Sequence, residues 1–392
     1  MTSREGISLL SYGLLVLTIT HMLTHVFNQI HIALFPIIRN EFNLSLTQLG
    51  LIAAIPPLCQ VLISIPSGLI TDRVGSKKMI MVSLIIALCS SIIAGKTLNP
   101  IMLTIAVSLA YMNTTIYHSS SYTFITKLFK KRDIVKAIGI QDIGGNFGTA
   151  MGPISVSIMV GLLSLGWRQV YLFWSMPILL GLFGILNMQA RPVDEINKQA
   201  PTKTKPVMKE SMFTISLALF LIFLAICKLA TQMVSTFLPI YLVDNRGLNE
   251  TLSSLIYGSG ALMGIVGAPI GGFFASNFGE KKWLFIVLSL ACVSLGLAII
   301  IPNIVAFIVL YLFYGFNNTL AMSARSALMA KISPNRRRGL GYSLYFLPGS
   351  IMGVVAPLIT AYIAKFFGLS LVFIIAPIIY ALGILVLNFI KI

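Results

Sequence analysis

Twelve stretches of this sequence are apolar over a length that water would not tolerate. They run over residues 8–36, 46–70, 78–96, 100–127, 136–163, 168–188, 212–242, 250–275, 283–301, 303–330, 340–366 and 369–390, separated by breaks that carry charge, proline or glycine. About 20 apolar residues in a helix cross the hydrocarbon of a bilayer, whereas a barrel strand needs only about 10. In lipid no water satisfies the backbone, so runs of this length must close their own N–H and C=O groups as helices. Composition agrees, because 57% of the residues are apolar and only 10% are charged, against about 25% charged in soluble domains. The expected fold is an all-α membrane protein of twelve transmembrane helices, and a soluble globular enzyme is excluded. Lone prolines such as Pro56, Pro66, Pro153, Pro177, Pro269 and Pro357 fit this fold, since neighbouring helices satisfy the freed backbone groups. The leading MTSREGIS enters the first apolar stretch with no small-residue cleavage site, which marks a retained span rather than a removed signal.

The net charge of +17 sets the orientation. With the N-terminus in the cytoplasm, the cytoplasmic connections collect Arg73, Lys77 and Lys78; Lys127, Lys130, Lys131, Arg132 and Lys136; the basic residues from Arg191 to Lys209; Lys281 and Lys282; and Lys331 with Arg336, Arg337 and Arg338. The other side receives Arg39, Lys96, Arg168, Arg246 and Lys365, while Lys228 and Arg325 lie inside spans. Short loops rich in Lys and Arg stay cytoplasmic, so both termini are expected there, in a multi-pass protein of the cytoplasmic membrane. The same placement removes nucleic acid as a partner, because topology and attraction to the anionic leaflet account for the charge. Cys59, Cys89, Cys227 and Cys292 all lie in apolar runs, where a thiol behaves as a small hydrophobe.

The longest polar stretch, residues 190–211, is rich in Pro and Lys and has the composition of a tether. It separates an N-terminal bundle of six spans (1–189) from a C-terminal bundle of six (212–392). The bundles are repeats. Gly68, Asp72, Gly75, Lys77 and Lys78 fall on Gly272, Ser276, Gly279, Lys281 and Lys282 at a shift of 204 residues, and the same shift brings Arg132 onto Arg336, Gly145 onto Gly349 and Pro153 onto Pro357. Duplicated bundles are the architecture of alternating-access carriers, whose substrate sits near the midplane between the repeats.

These residues resemble the major facilitator superfamily, and the resemblance covers essentially the whole chain. Gly68, Asp72, Arg73, Gly75, Lys77 and Lys78 match that family's element after the second span, Gly-x-x-x-Asp-Arg-x-Gly followed by basic residues, with Ser76 at one basic position. Glycines there permit a tight turn, and the charged side chains can pair or cap helix ends. A gating role is expected for the set, because topology explains the basic cluster but not Asp72. The run Gly144-Gly145-Asn146-Phe147-Gly148 through Gly152-Pro153 looks like the Gly-x-x-x-Gly-Pro element of proton-driven exporters, whose small residues let two helices touch. Gly148, Gly152 and Pro153 join the gating set on this resemblance. With His21 and Tyr117-His118, the run is most similar to the fosmidomycin-resistance type of permease, an exporter branch. The sequence departs from exporters in lacking a Gly-Gly after Pro153 and an arginine in the fourth span.

An ionisable side chain inside a span costs about 2.5–3.5 kcal/mol on insertion scales and turns to the bundle interior or a wet cavity. In the first span His21, His25 and Asn28 fall at i, i+4 and i+7, on one helical face, with Gln29 and His31 beside or beyond them. Imidazole exchanges protons near neutral pH, so this face is a candidate for substrate or proton handling, with interhelical hydrogen bonding as the structural alternative. The His21/His25 spacing is also compatible with a metal, yet no carboxylate or thiol shares the face, and neither metal nor other cofactor is expected. In the fourth span Thr114, His118, Ser121 and Tyr122 form a second polar stripe beside Tyr117, and His118 has the same two candidate roles. The serines there build no Gly-x-Ser-x-Gly elbow, which excludes a protease of that design.

Lys228 lies near the middle of the seventh span with Gln232 one turn on, too deep to snorkel out. It requires an anion, either a substrate carboxylate, phosphate or phosphonate or an acidic partner from the first half. In the tenth span Asn317 and Asn318 precede Arg325, and Asp142 enters the fifth span from the same side. Either Asp142 and Arg325 pair to close the cytoplasmic gate, or Asp142 is a proton site and Arg325 a second anion anchor. No Gly-x-x-x-x-Gly-Lys-Ser/Thr loop is present, so ATP is not the direct energy source. The expected function is secondary transport, not enzymology: alternating-access movement of a small anionic or amphipathic organic solute. Proton coupling through His21, His25, His118 or Asp142 is expected, and the resemblance implies export. Uptake by symport and a transport-dead sensor are the alternatives. The expected partners are the solute, protons and the bilayer, with the chain a monomer.

Overall fold

The computed structural model describes residues 11–129, 133–188, 214–332 and 338–391. The tether at 190–211, the leading MTSREGIS, and Lys130, Lys131, Arg132, Arg336 and Arg337 lie outside the described residues. All regular structure among those described is helical: α1 (Tyr12–Ala33), α2 (Phe35–Phe42), α3 (Leu46–Val74), α4 (Ser76–Gly95), α5 (Pro100–Leu128), α6 (Ile134–Val156), α7 (Trp167–Asn187), α8 (Ile215–Asp244), α9 (Glu250–Phe278), α10 (Glu280–Ile300), α11 (Ile304–Ile332), α12 (Arg338–Phe367) and α13 (Leu369–Leu387). A π-helical turn, Ser157–Leu162, continues α6. Apart from the short α2, one long helix stands at each of the twelve expected spans.

Among the described residues, α3, α4, α5, α7, α8, α10, α11, α13 and the Leu344–Phe367 part of α12 are long and apolar enough to cross a membrane. The two parts of α9, Glu250–Gly267 and Ile270–Phe278, pass the same test together across a 55° bend. The exceptions, α1 and α6, are the helices that carry His21, His25, Asn28, Gln141 and Asp142. Exposed apolar side chains such as Ile65, Leu180 and Phe183 would be faults in water and form a normal outer surface in lipid.

Helix ends follow local chemistry. Asn99, Thr214 and Asn249 each accept a hydrogen bond from the backbone N–H three residues on, satisfying a donor that the first turn of a helix leaves open. Gly75 and Gly279, the repeat-related breaks before α4 and α10, stand at φ +98° and +84°, a region that side chains disfavour. The repeat extends to the lysines behind them. Lys77 Nζ donates to the carbonyls of Leu186 and Met188 at 3.0 and 2.7 Å, and Lys281 Nζ to those of Asn388 and Ile390 at 3.0 and 2.7 Å. Each lysine thus caps the C-terminal end of the sixth span of its own half. Arg168 and Arg246 act likewise at the opposite ends, Arg168 on the carbonyl of Thr97 and Arg246 on those of Ala298, Ile299 and Ile301.

The chain divides into two compact units. The first takes in the described parts of Met1–Ile30, Cys59–Gly152 and Ser164–Met208, with Leu17, Val107, Tyr117 and Tyr171 fully buried. The second takes in those of His31–Leu58, Pro153–Leu163 and Lys209–Ile392, with Phe35, Phe220, Phe237 and Tyr380 fully buried. Within the second, the two terminal guanidinium nitrogens of Arg39 donate to the carboxylate of Asp244, Nη2 to Oδ1 at 2.7 Å. These hydrogen bonds hold the Arg39 guanidinium above its ordinary pKa.

Candidate functional site

The site in the first unit is set by how α1 and α6 meet. A Cβ on Gly144 would lie 2.2 Å from the carbonyl oxygen of Thr18, one on Gly148 2.1 Å from that of Met22, and one on Gly152 2.5 Å from that of Val26. Three glycines at intervals of four therefore face three carbonyls at intervals of four, and the two backbones touch. A Cβ on Gly145 would lie 2.8 Å from the ring of His21, so this glycine clears space for the imidazole. Its Nδ1 reaches the carbonyl of Gln141 at 2.8 Å.

From that anchored position His21 meets the other two site histidines. His21 Nε2 is 2.7 Å from His118 Nε2, and His25 Nε2 is 3.2 Å from the same atom. The ring centroids are 4.9 to 5.2 Å apart. His21 is buried, and His25 and His118 are half-buried. The trio is the group able to hold a metal among the described residues, since its three ligand nitrogens all lie within 4.8 Å of one another. Two aromatic rings support it. Tyr117 stacks on His21 at 5.6 Å while its hydroxyl donates to the carbonyl of Leu17 at 2.6 Å, and Tyr122 stacks on His118 at 5.7 Å while donating to Asp142 Oδ1 at 2.9 Å. Tyr117 is fully buried. Asn28 donates to Thr114 Oγ1 at 3.0 Å, joining α1 to α5 one turn beyond His25.

A second group of polar side chains occupies the second unit. Lys228 is exposed at the middle of α8, and a charge at that depth belongs in a wet cavity. Its stem passes Gly349 of α12, where a Cβ would be 3.9 Å from Lys228 Cε. Gly349 is the repeat counterpart of Gly145. Arg325, on α11 of the same unit, is 8% exposed, and its Nε has no hydrogen-bond partner. Asn317 is buried and bonds its own helix through the carbonyl of Phe313; Asn318 accepts from Tyr380 at 2.7 Å. Gln232 is half-buried and accepts from Ser235 at 2.9 Å. The described acidic residues of this unit stand at helix ends. Asp244 binds Arg39, Glu280 binds Lys331 at 2.7 Å, and Glu41 and Glu250 lie at the ends of α2 and α9.

The residues of the expected gating set stand in different structural settings. Gly75 makes the turn and Lys77 caps α7, while Asp72, Arg73 and Lys78 are exposed and Asp72 forms no ion pair among the described residues. A Cβ on Gly68 would meet nothing within 4 Å. Pro153 continues α6 beyond Gly152 as the first residue of its stretch in the second unit. The contact that the sequence did not provide is His118 with His21 and His25, because nothing in the spacing of α5 says which face of α1 it meets.

The sequence pattern of the Major Facilitator Superfamily matches residues 17–302 and 221–391 of the chain. This chain belongs to the major facilitator superfamily. As a superfamily member it is a transporter, not an enzyme, and a multi-pass protein of the cell membrane. It is 24% identical over 379 residues to a Staphylococcus epidermidis protein named "Probable nitrate transporter NarT", covering 94% of this chain and 92% of that one. The Staphylococcus haemolyticus protein of the same name is 25% identical over 346 residues, with 86% and 85% covered. Among solved structures, a bacterial homologue of the human lysosomal transporter Spinster superposes with a TM-score of 0.83 at 18% identity, covering 97% of this superfamily member and 96% of the other chain. The nucleoside transporter NupG superposes with a TM-score of 0.76 at 16% identity, covering 97% and 100%.

Proposed function

We propose that this superfamily member carries a small anion across the membrane by alternating access, in exchange for protons. The reading rests on Lys228 and Arg325: two cations within the spans of the second unit, one with an unpartnered buried nitrogen, and no carboxylate at their depth among the described residues. A cation inside a span needs a counter-charge, and a substrate anion supplies it. Asn317, Asn318 and Gln232 supply neutral polar groups nearby. The nitrate in the names of the staphylococcal relatives favours a compact oxyanion over an amphipathic drug, and small carboxylates and phosphonates share the chemistry. Asp142, held by the Tyr122 hydroxyl, is the coupling carboxyl. The exporter-like Gly144–Pro153 run and the fosmidomycin-resistance likeness support outward transport by a bundle of residues 1–189 and one of residues 212–392, with both termini cytoplasmic and one chain sufficient.

The test uses proteoliposomes with an internal pH dye, challenged with nitrate, small carboxylates and phosphonates. Anion-dependent proton movement that is lost in Lys228→Ala and in Arg325→Ala is the expected result, its sign giving the direction. Asp142→Asn should still exchange labelled anion while moving no protons. Transport of cations with equal efficiency, or full activity in both cation variants, would overturn the reading.

A further inference from the structure

We propose that His21, His25 and His118 form a site for a late first-row divalent transition ion, Zn2+ in the first instance, which pins α1 to α5. This goes beyond the anion reading and does not depend on which solute moves. Zn–N bonds of 2.0–2.1 Å in a tetrahedral site place neighbouring nitrogens about 3.3 Å apart. His25 Nε2 and His118 Nε2, at 3.2 Å, already have that separation. His21 Nε2 and His118 Nε2, at 2.7 Å, would open by about 0.6 Å to reach it.

The protons argue for a cation as well. A neutral imidazole carries a single N–H. That of His21 sits on Nδ1, because the group it meets there is the carbonyl of Gln141 at 2.8 Å, which can only accept. His21 Nε2 therefore presents a lone pair to the cluster. His118 Nε2 has at most one hydrogen to give to two neighbours, so the two contacts cannot both be linear hydrogen bonds. A metal ion at the shared point satisfies all three nitrogens at once.

The surroundings meet the other requirements of such a site. The Gln141 carbonyl orients His21 as outer-shell groups orient metal-binding imidazoles, and Gly145 prevents any side chain from displacing the ring. His25 and His118 are half-buried and not sealed from the surface. Three imidazoles suit zinc, copper or nickel and not calcium or magnesium, and three ligands leave a fourth position for water or an anion. Asp142 is linked to the trio through Tyr122, which stacks on the face of His118.

The experiment uses the full chain carrying an affinity tag without histidine, in detergent, titrated with Co2+ and with Zn2+. One equivalent should bind, with the visible absorption of tetrahedral Co2+ and a rise in unfolding temperature with Zn2+. His21→Ala, His25→Ala and His118→Ala should each weaken binding by more than about tenfold, the least that loss of an outer-shell group brings. His31→Ala, which removes the remaining histidine, should leave it intact. X-ray absorption at the zinc edge of the unaltered protein should count three imidazoles, a readout independent of how well any variant folds. Absence of stoichiometric binding, fewer than three imidazoles, or unchanged affinity in His118→Ala would overturn the site. Anion flux measured with chelator present judges the proposed transport activity separately.

Discussion

At the scale of the residue, two glycines of the family-like motifs have opposite situations. Gly148 faces the carbonyl of Met22 so closely that any Cβ must move backbone, and overpacking of that kind costs about 1–3 kcal/mol or more. Gly148→Val should therefore unfold at markedly lower temperature in detergent, with poor recovery of folded protein. Gly68 has open space where its Cβ would be, and helix propensity alone makes alanine about 0.8–1.0 kcal/mol better there. Gly68→Ala should melt no lower than the parent protein. If it nevertheless slows transport, the loss belongs to another state of the cycle, which is the gating role expected of this residue; if transport is unchanged, that role is refuted for Gly68. The two positions read alike in the sequence. What separates them is a neighbour on α1 that only packing supplies.

At the scale of the element, the lysine caps of α7 and α13 offer a paired test of the duplication. Each ammonium binds two terminal carbonyls, and a hydrogen bond to a charged group contributes about 1.5–3 kcal/mol. Lys77→Met should speed amide hydrogen exchange about tenfold or more in the last turn of α7 and leave α13 alone. Lys281→Met should do the converse, and loss confined to one of the two ends by either variant is the signature expected of independent caps. The helices themselves were legible because lipid admits few alternatives for a long apolar run. The boundaries were less so. The first expected span, 8–36, breaks at Leu34 before Pro36, and α2 then continues through Arg39, Asn40 and Glu41, residues too polar to extend an apolar run. The π-helical turn at Ser157–Leu162 left no mark in residue type. The polar faces of the first and fourth spans were legible from spacing, whereas the meeting of their histidines depends on contacts between residues 93 and 97 positions apart.

At the scale of the whole molecule, the ion pair Arg39–Asp244 joins a helix from the first sequence repeat to one from the second, inside a single compact unit. Its side chains are 21% and 35% exposed, so its coupling energy should be about 0.2–1 kcal/mol. A double-mutant cycle of Arg39→Ala and Asp244→Ala, read by chemical unfolding, should return a value in that range. The swapped pair Arg39→Asp with Asp244→Arg should recover most of the stability lost by either reversal, and failure to recover any would mean that the two charges act apart. The three-glycine seam between α1 and α6 has a mechanical corollary. Most helix pairs keep a cushion of side chains that can change rotamer and let one helix slip past the other. Here carbonyls rest directly on glycine backbone, the cushion is gone, and a torque on either helix turns both. The imidazoles of α1 and the carboxyl of α6 therefore ride on one crank, and a stroke that repositions the first must reposition the second.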